Sequence, residues 1–240
     1  MRMVAPVAAL LLACCSGADG TRLVVSAAAS MTDAITEIAQ GYEESSGIEI
    51  SLNIAASSSL REQILSGAVV DVYVPADTSN MDQVVAAGLV DGYRILASNR
   101  LEIAVPKGNP ANVTGLEDLA NPTLFIGLCS PNVPCGSYGT EALASAGVVP
   151  SVDTYEADAR ALLTKVREGE LDAGLVYATD VASDDLVDGV AVPEEQNVPV
   201  GYPIGRIVTS ANPEAAMGFI DFAMSAVGQA ILAKHGFSTS

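Results

Sequence analysis

Basic residues are scarce in this chain of 240: 11 Lys and Arg stand against 29 Asp and Glu, a formal net charge of −18. Nucleic acid and anionic membrane surfaces are both gripped by Lys/Arg clusters, so the balance argues against either as a partner. A small anionic ligand stays open, because a local site can oppose the global field. Histidine occurs once, at His235, within Lys234-His235-Gly236-Phe237, where it reads as a helix end. A secreted hydrolase would want a catalytic base and a Gly-x-Ser-x-Gly elbow, and no such elbow occurs. Walker-A and dinucleotide fingerprints and zinc-like ligand spacings are missing as well. Past the N-terminus no apolar run is long and uncharged enough to cross a bilayer.

What the N-terminus does contain is a short basic start, Met1-Arg2-Met3, and an apolar stretch from Val4 to Ala13. It is too short to span a membrane and reads as an export signal. Leu11-Leu12-Ala13-Cys14 resembles a bacterial lipobox, which predicts a signal peptide over 1–13, a lipid on Cys14 and a flexible tether over 14–21. An ordinary cleaved signal is the competing reading. Export leaves Cys129 and Cys135 to explain, and in an oxidising compartment a local disulfide is the first expectation. A metal or redox pair is the alternative, although the chain has no Cys-x-x-Cys and His235 lies far off.

Half of the residues are hydrophobic, enough to bury a full core in one domain or two lobes. Strand-like runs at Leu23–Ser26, Ile48–Asn53, Val69–Val74 and Leu101–Val105 alternate with helical patterns at Thr32–Glu44, Leu60–Leu65 and Asn80–Ala87. After Lys107-Gly108-Asn109-Pro110 the alternation restarts with a strand at Thr123–Leu128, helices at Gly136–Ala146 and Ala157–Glu168, and a strand at Ala173–Tyr177. Val198–Val208 is broken by Pro199 and Pro203 and reads as a crossover, not a central strand. The tail reads as two amphipathic helices, Pro213–Ala226 and Gln229–Lys234. Such alternation predicts an α/β fold of parallel sheets with helices on both faces. Two lobes joined near residues 101 and 203 fit it best: 22–101 with 203–240 as the first, and 102–202 as the second. The second lobe holds 16 acidic and 4 basic residues, and its run Asp184, Asp185, Asp188, Glu194 and Glu195 reads as a solvated face.

Two apolar strands each run into a serine-bearing turn that opens a helix: Leu23 to Asp33, and Ile50 to Glu62. Helix starts have unpaired N–H groups and the positive end of the macrodipole, so each turn is a potential anion seat. The hydroxyls of Ser30, Ser57, Ser58 and Ser59 add donors without adding charge. Ser30-x-x-Asp33 and Ser59-x-x-Glu62 are also capping boxes, which helices use with no ligand present.

In order along the chain, Ala28-Ala29-Ser30-Met31-Thr32, Ala55-Ala56-Ser57-Ser58-Ser59-Leu60, Asp71-Val72-Tyr73-Val74-Pro75-Ala76-Asp77, Val133-Pro134-Cys135-Gly136-Ser137-Tyr138, Gly174-Leu175-Val176-Tyr177 and Lys234-His235-Gly236-Phe237 carry a family likeness. From about Arg22 to Phe237 the chain resembles the periplasmic molybdate-binding proteins of ABC importers, a branch of the type II solute-binding proteins. The resemblance implies a two-lobed α/β fold, each lobe a mostly parallel sheet flanked by helices, hinged by two crossover strands. It implies a tetrahedral oxyanion, molybdate and also tungstate, handed to the membrane subunits of an ABC permease by a monomer with no cofactor. Sulfate or another small anion is the alternative ligand; a ferric ion would want clustered Tyr, His and carboxylates. The implied ligand positions fall on hydroxyls and backbone N–H groups of Ser30 and Ser57, backbone N–H groups of Cys135 and Ala159, and the hydroxyl of Tyr177. Arg61 and Arg160 sit beside these positions, where they either bias the cleft electrostatically or pair structurally with nearby acids such as Glu62 and Asp158. Tyr73, Tyr138 and Tyr155 are read as core or rim aromatics.

Overall fold

The computed structural model describes residues 21–239, so the export signal, Cys14 and nearly all of the tether lie outside the described residues. The elements run β1 (Arg22–Ala28), α1 (Thr32–Ser46), β2 (Glu49–Ala55), α2 (Ser57–Leu65), β3 (Val72–Val74), α3 (Thr78–Ala86), β4 (Val90–Asn99), β5 (Leu101–Pro106), β6 (Ile126–Cys129), α4 (Pro134–Ser145), β7 (Thr154–Glu156), α5 (Ala159–Arg167), β8 (Ala173–Tyr177), α6 (Ala178–Ala182), β9 (Val187–Ala191), β10 (Val200–Ile207), α7 (Pro213–Met224) and α8 (Ala226–Lys234). A 3-10 turn at Ala29–Met31 leads from β1 into α1.

Strands β2-β1-β3-β10-β4 form one five-stranded sheet, and β7-β6-β8-β5-β9 form the other. The chain passes between them twice, at Arg100 and between Ala191 and Val200. Both sheets are mixed. β1 runs parallel to β2 and β3, and β6 to β7 and β8, whereas β10 and β5 run antiparallel to both of their neighbours.

The segment expected to be only a crossover is strand β10, lodged between β3 and β4 from Val200 onward. It tolerates Pro203 because the pairing with β4 shifts register between Tyr202 and Pro203, where a missing N–H costs no ladder bond. Its partner β4 is a ten-residue edge strand that the sequence pattern does not announce, since Asp91, Gly92, Tyr93 and Arg94 interrupt any alternation.

Helix α1 packs Ala34, Ile35, Ile38, Ala39 and Tyr42 inward and stops at Gly47, whose φ of 71° suits glycine. Tyr42 donates to the carbonyl of Ala215 at 3.0 Å and meets Phe219 edge-on, which brings α7 back onto the first sheet. On the second sheet Leu162, Leu163 and Val166 of α5 are buried. Gly127 and Gly174 let that helix come close: a Cβ on either would lie 2.6 and 2.9 Å from Leu162 Cδ1. This close approach carries the start of α5 to the gap between the sheets.

Candidate anion-binding cleft

Four helix starts meet in that gap. Ala28, Ala29, Ser30, Ala56 and Ala76 line it from the first sheet, and Val133, Pro134, Cys135, Asp158, Ala159 and Tyr177 from the second. Ala28 and Ala29 open the turn into α1, Ala56 precedes α2, Val133 precedes α4 and Asp158 precedes α5. No side chain caps the starts at Ala28, Ala56 or Val133. Asp158 caps the fourth start, that of α5; away from the gap α3 and α8 are capped by Asp77 and Ser225 and α7 is not capped. First-turn N–H groups have no acceptor within their own helix, and they sit at the positive end of the macrodipole. Uncapped starts aimed at one small space therefore make a seat for an anion. The capping-box reading fails here: neither Ser30 nor Ser59 caps a helix, Asp33 pairs with Arg160 across the gap, and Glu62 pairs with Arg61.

The open space measures about 20 Å3, against the roughly 10–15 Å3 that one water needs. It suits a ligand of a few atoms. Ser30, Cys135, Ala159 and Tyr177 stand on its lining. Ser57 does not; it lies behind Ala56 and Ala76, 1% exposed, and its Oγ accepts from the Ala76 N–H at 2.9 Å. With its lone pair so engaged, the Ser57 hydroxyl proton is left to donate. Cys135 is joined to Cys129 by a disulfide that closes the turn from β6 into α4. The turn is tight, for a Cβ on Gly136 would strike the carbonyl oxygen of Ser130. Tyr177 is 1% exposed, and its hydroxyl has no hydrogen-bond partner among the described residues. A buried hydroxyl left unpaired is costly, so it waits for an acceptor. Burial also raises the Tyr177 phenol well above its ordinary value, which keeps the proton on.

Among the described residues no basic side chain lines the space, and Asp158 is the only charged one. The Asp158 carboxylate is turned to its own helix, accepting from the Ala161 N–H at 2.9 Å. Arg160 pairs not with Asp158 but with Asp33, donates to Ser183 Oγ at 3.1 Å and lies 3.9 Å from Asp180 Oδ1. Burial pushes the Asp180 carboxyl up to about 7, with Arg160 partly opposing. Arg61 binds Glu62 and Asn80 Oδ1. His235 caps the end of α8 and meets Glu37 at 2.8 Å.

Sequence reasoning missed Asn99 and Tyr202. The Tyr202 hydroxyl lies 2.9 Å from Ser30 Oγ, and the two residues stand 172 positions apart, so no local pattern could have joined them.

Residues 23–238 match the model of the family described as bacterial extracellular solute-binding protein. The chain belongs to that family. Among relatives of this solute-binding protein, the molybdate-binding protein ModA of Mycobacterium tuberculosis is 34% identical over 219 residues, covering 90% of this chain and 84% of the relative. The Escherichia coli protein of that name is 29% identical, covering 92% and 90%. In fold, it matches the periplasmic molybdate-binding protein of Azotobacter vinelandii with a TM-score of 0.80 at 18% identity, covering 91% of this chain and 99% of that one. The sulfate-binding protein SubI of Mycobacterium tuberculosis matches with a TM-score of 0.83 at 18% identity, covering 91% and 87%.

Proposed function

We propose that this solute-binding protein holds a fully deprotonated tetrahedral oxyanion, molybdate and also tungstate, and hands it as a monomer to an ABC permease. The observation that carries the reading is the meeting of uncapped helix starts with hydroxyls whose protons are free, in a space with no basic side chain. Such a cleft replaces the water around a dianion with neutral donors, and an unpaired buried charge would otherwise be very costly. Each hydrogen bond to a charged group contributes about 1.5–3 kcal/mol net. Several together cover the about 8–12 kcal/mol of micromolar to nanomolar binding after the costs of association and lobe closure. On this reading Ser30, Ser57 and Tyr177 donate hydroxyl protons, and Cys135 and Ala159 donate backbone N–H groups. The ligand is cargo, no cofactor is needed and no reaction is catalysed.

The relatives' names favour molybdate over sulfate. Export and a lipid on Cys14 belong to the same proposal, supported by the lipobox and by a Bacillus subtilis relative, 31% identical, provisionally named a substrate-binding lipoprotein. Isothermal titration of the protein lacking its export signal tests the ligand. Heat of binding with molybdate and tungstate at micromolar concentration is expected, with weaker binding of sulfate. Silence with molybdate and tungstate would overturn the reading, and tight binding of sulfate alone would move it to the alternative anion.

A further inference from the structure

Behind Ser30 lies a chain of buried hydrogen bonds that the ligand set does not use. Asn99 Oδ1 accepts from the Arg100 N–H at 2.9 Å, which fixes the orientation of its amide group. Its Nδ2 therefore faces the other way, donating to Thr179 Oγ1 at 2.8 Å and to the Tyr202 hydroxyl oxygen at 3.4 Å. Tyr202 is fully buried, and Asn99, Thr179 and Ser30 are nearly so. A phenol has one proton to donate. With its oxygen accepting from Asn99, the only acceptor within reach among the described residues is Ser30 Oγ, at 2.9 Å. Ser30 must then accept from behind, and its own proton is free to point into the cleft.

We propose that Asn99 and Tyr202 are specificity-determining residues that set the hydrogen-bond polarity of the cleft by making Ser30 an obligate donor. The inference rests on the anion-binding reading and adds the means by which the cleft is made to refuse a protonated anion. Ser57, accepting from the Ala76 N–H behind the lining, keeps its proton to donate in the same sense, whereas the Tyr177 hydroxyl has no partner among the described residues and can donate or accept. The polarity is therefore set at Ser30. A guest that brings a proton of its own, such as hydrogen phosphate, meets a donor against its donor there, a mismatch that leaves one group unpaired in a buried site. Ser30, Asn99 and Tyr202 all belong to the first sheet's lobe, so this polarity exists before the lobes close. Asn99 and Tyr202 also stand on β4 and β10, the two strands of that lobe that adjoin the crossovers, and Asn99 reaches Thr179 of the second lobe.

A double-mutant cycle read by titration with sodium molybdate is the test. Tyr202→Phe alone is expected to weaken binding by about 3- to 10-fold, the range of one hydrogen bond. In a Ser30→Ala background the same change is expected to cost less than about 2-fold, because the residue through which it acts is gone. Equal costs in both backgrounds would overturn the proposal. Asn99→Asp reverses the chain: a carboxylate accepts from Tyr202, Tyr202 accepts from Ser30, and Ser30 turns lone pairs to the cleft. Molybdate binding is expected to fall by more than 10-fold while the preference for molybdate over hydrogen phosphate narrows. An unchanged preference in a folded Asn99→Asp protein would also overturn it. Independently of any ligand, the Tyr202 hydroxyl proton should exchange slowly and show a nuclear Overhauser contact to the Ser30 β-protons, absent in Tyr202→Phe. A fast-exchanging hydroxyl would refute the polarity. If the wild-type protein binds none of the oxyanions, the functional reading fails, and the proton measurement still decides this one.

Discussion

The two walls of the cleft offer donors to the same space but are held by different means. On the first wall each hydroxyl is already engaged from behind, Ser30 by Tyr202 and Ser57 by the Ala76 N–H. On the second, a disulfide closes the turn that carries Cys135, Asp158 caps the helix that carries Ala159, and the Tyr177 hydroxyl has no partner. The second wall also covers the buried, poorly satisfied Asp180, whose Oδ2 accepts from the Tyr177 N–H at 3.1 Å while Oδ1 has no hydrogen bond. A wall whose groups are satisfied alone is stable without a guest. A wall with orphaned groups gains most when the guest arrives. The first lobe therefore reads as the preformed half of the site, and the second as the half completed on closure.

The largest expected effect lies under the second wall. An acid with a folded pKa of about 7 and an ordinary value of 3.8 holds its proton more tightly when folded. Its contribution is most favourable below about pH 4 and is lost as pH rises towards 7, leaving a penalty of at most about 4 kcal/mol above that range. Asp180→Asn keeps an acceptor for the Tyr177 N–H and removes the titration. Urea unfolding across pH 5 to 8 should show the variant gaining on the wild type as pH rises. A constant gap would mean that Asp180 titrates alike in both states, and that the second wall has no such burden.

The next effect separates the walls directly. Loss of one hydrogen bond to a dianion is expected to weaken molybdate binding by about 1.5–3 kcal/mol, for Ser57→Ala and Tyr177→Phe alike. Their stabilities without ligand should differ. Ser57→Ala leaves the buried Ala76 N–H unpaired, at about 1–3 kcal/mol, whereas Tyr177→Phe removes a hydroxyl that bonds to nothing and should cost no stability. Thermal unfolding of both, without ligand, decides the comparison. Equal losses would sink it.

The disulfide comes third. Cys129 and Cys135 close a short loop, and replacing both by Ser should lower stability by about 2 kcal/mol on the chain-entropy view. Molybdate affinity should fall with it, because the loop holds the start of α4. Unchanged affinity would show that the packing of Gly136 on Ser130 alone positions that N–H.

Much of this was legible in the residues, and the failures have a common cause. Helix interiors carry local signals: the spacing of Ile35, Ile38, Ala39 and Tyr42 puts all four on the buried face of α1 in the structure, while its end at Gly47 lies beyond the expected Glu44. Strand β4 has no such signal, since it is a partly exposed edge strand held by its long pairing with β10. Strand β10 was hidden by Pro199 and Pro203, because a register shift that admits proline is a property of the pair. In the cleft, small residues at helix starts were readable. Whether Ser30 caps a helix or faces a guest was not, because the answer depends on Tyr202 and on Arg160 drawing Asp33 away, both far along the chain.

That ion pair is the smallest lever. Asp33 of α1 and Arg160 of α5 form the only salt bridge among the described residues that joins the two lobes. The two side chains are 45% and 29% exposed, so the pair should contribute no more than about 1 kcal/mol, and less as salt is added. Because it spans the two lobes, its loss is expected to act on their closing. Arg160→Ala should weaken molybdate binding about 2- to 5-fold at low salt, within that ceiling, mostly by faster release. Asp33→Asn should reproduce the loss, and both should converge on the wild type in about 1 M salt, where the Debye length is near 3 Å. A loss that persists at high salt would mean Arg160 acts through its contacts with Ser183 and Asp180, within the second lobe, and not as a clasp between the walls.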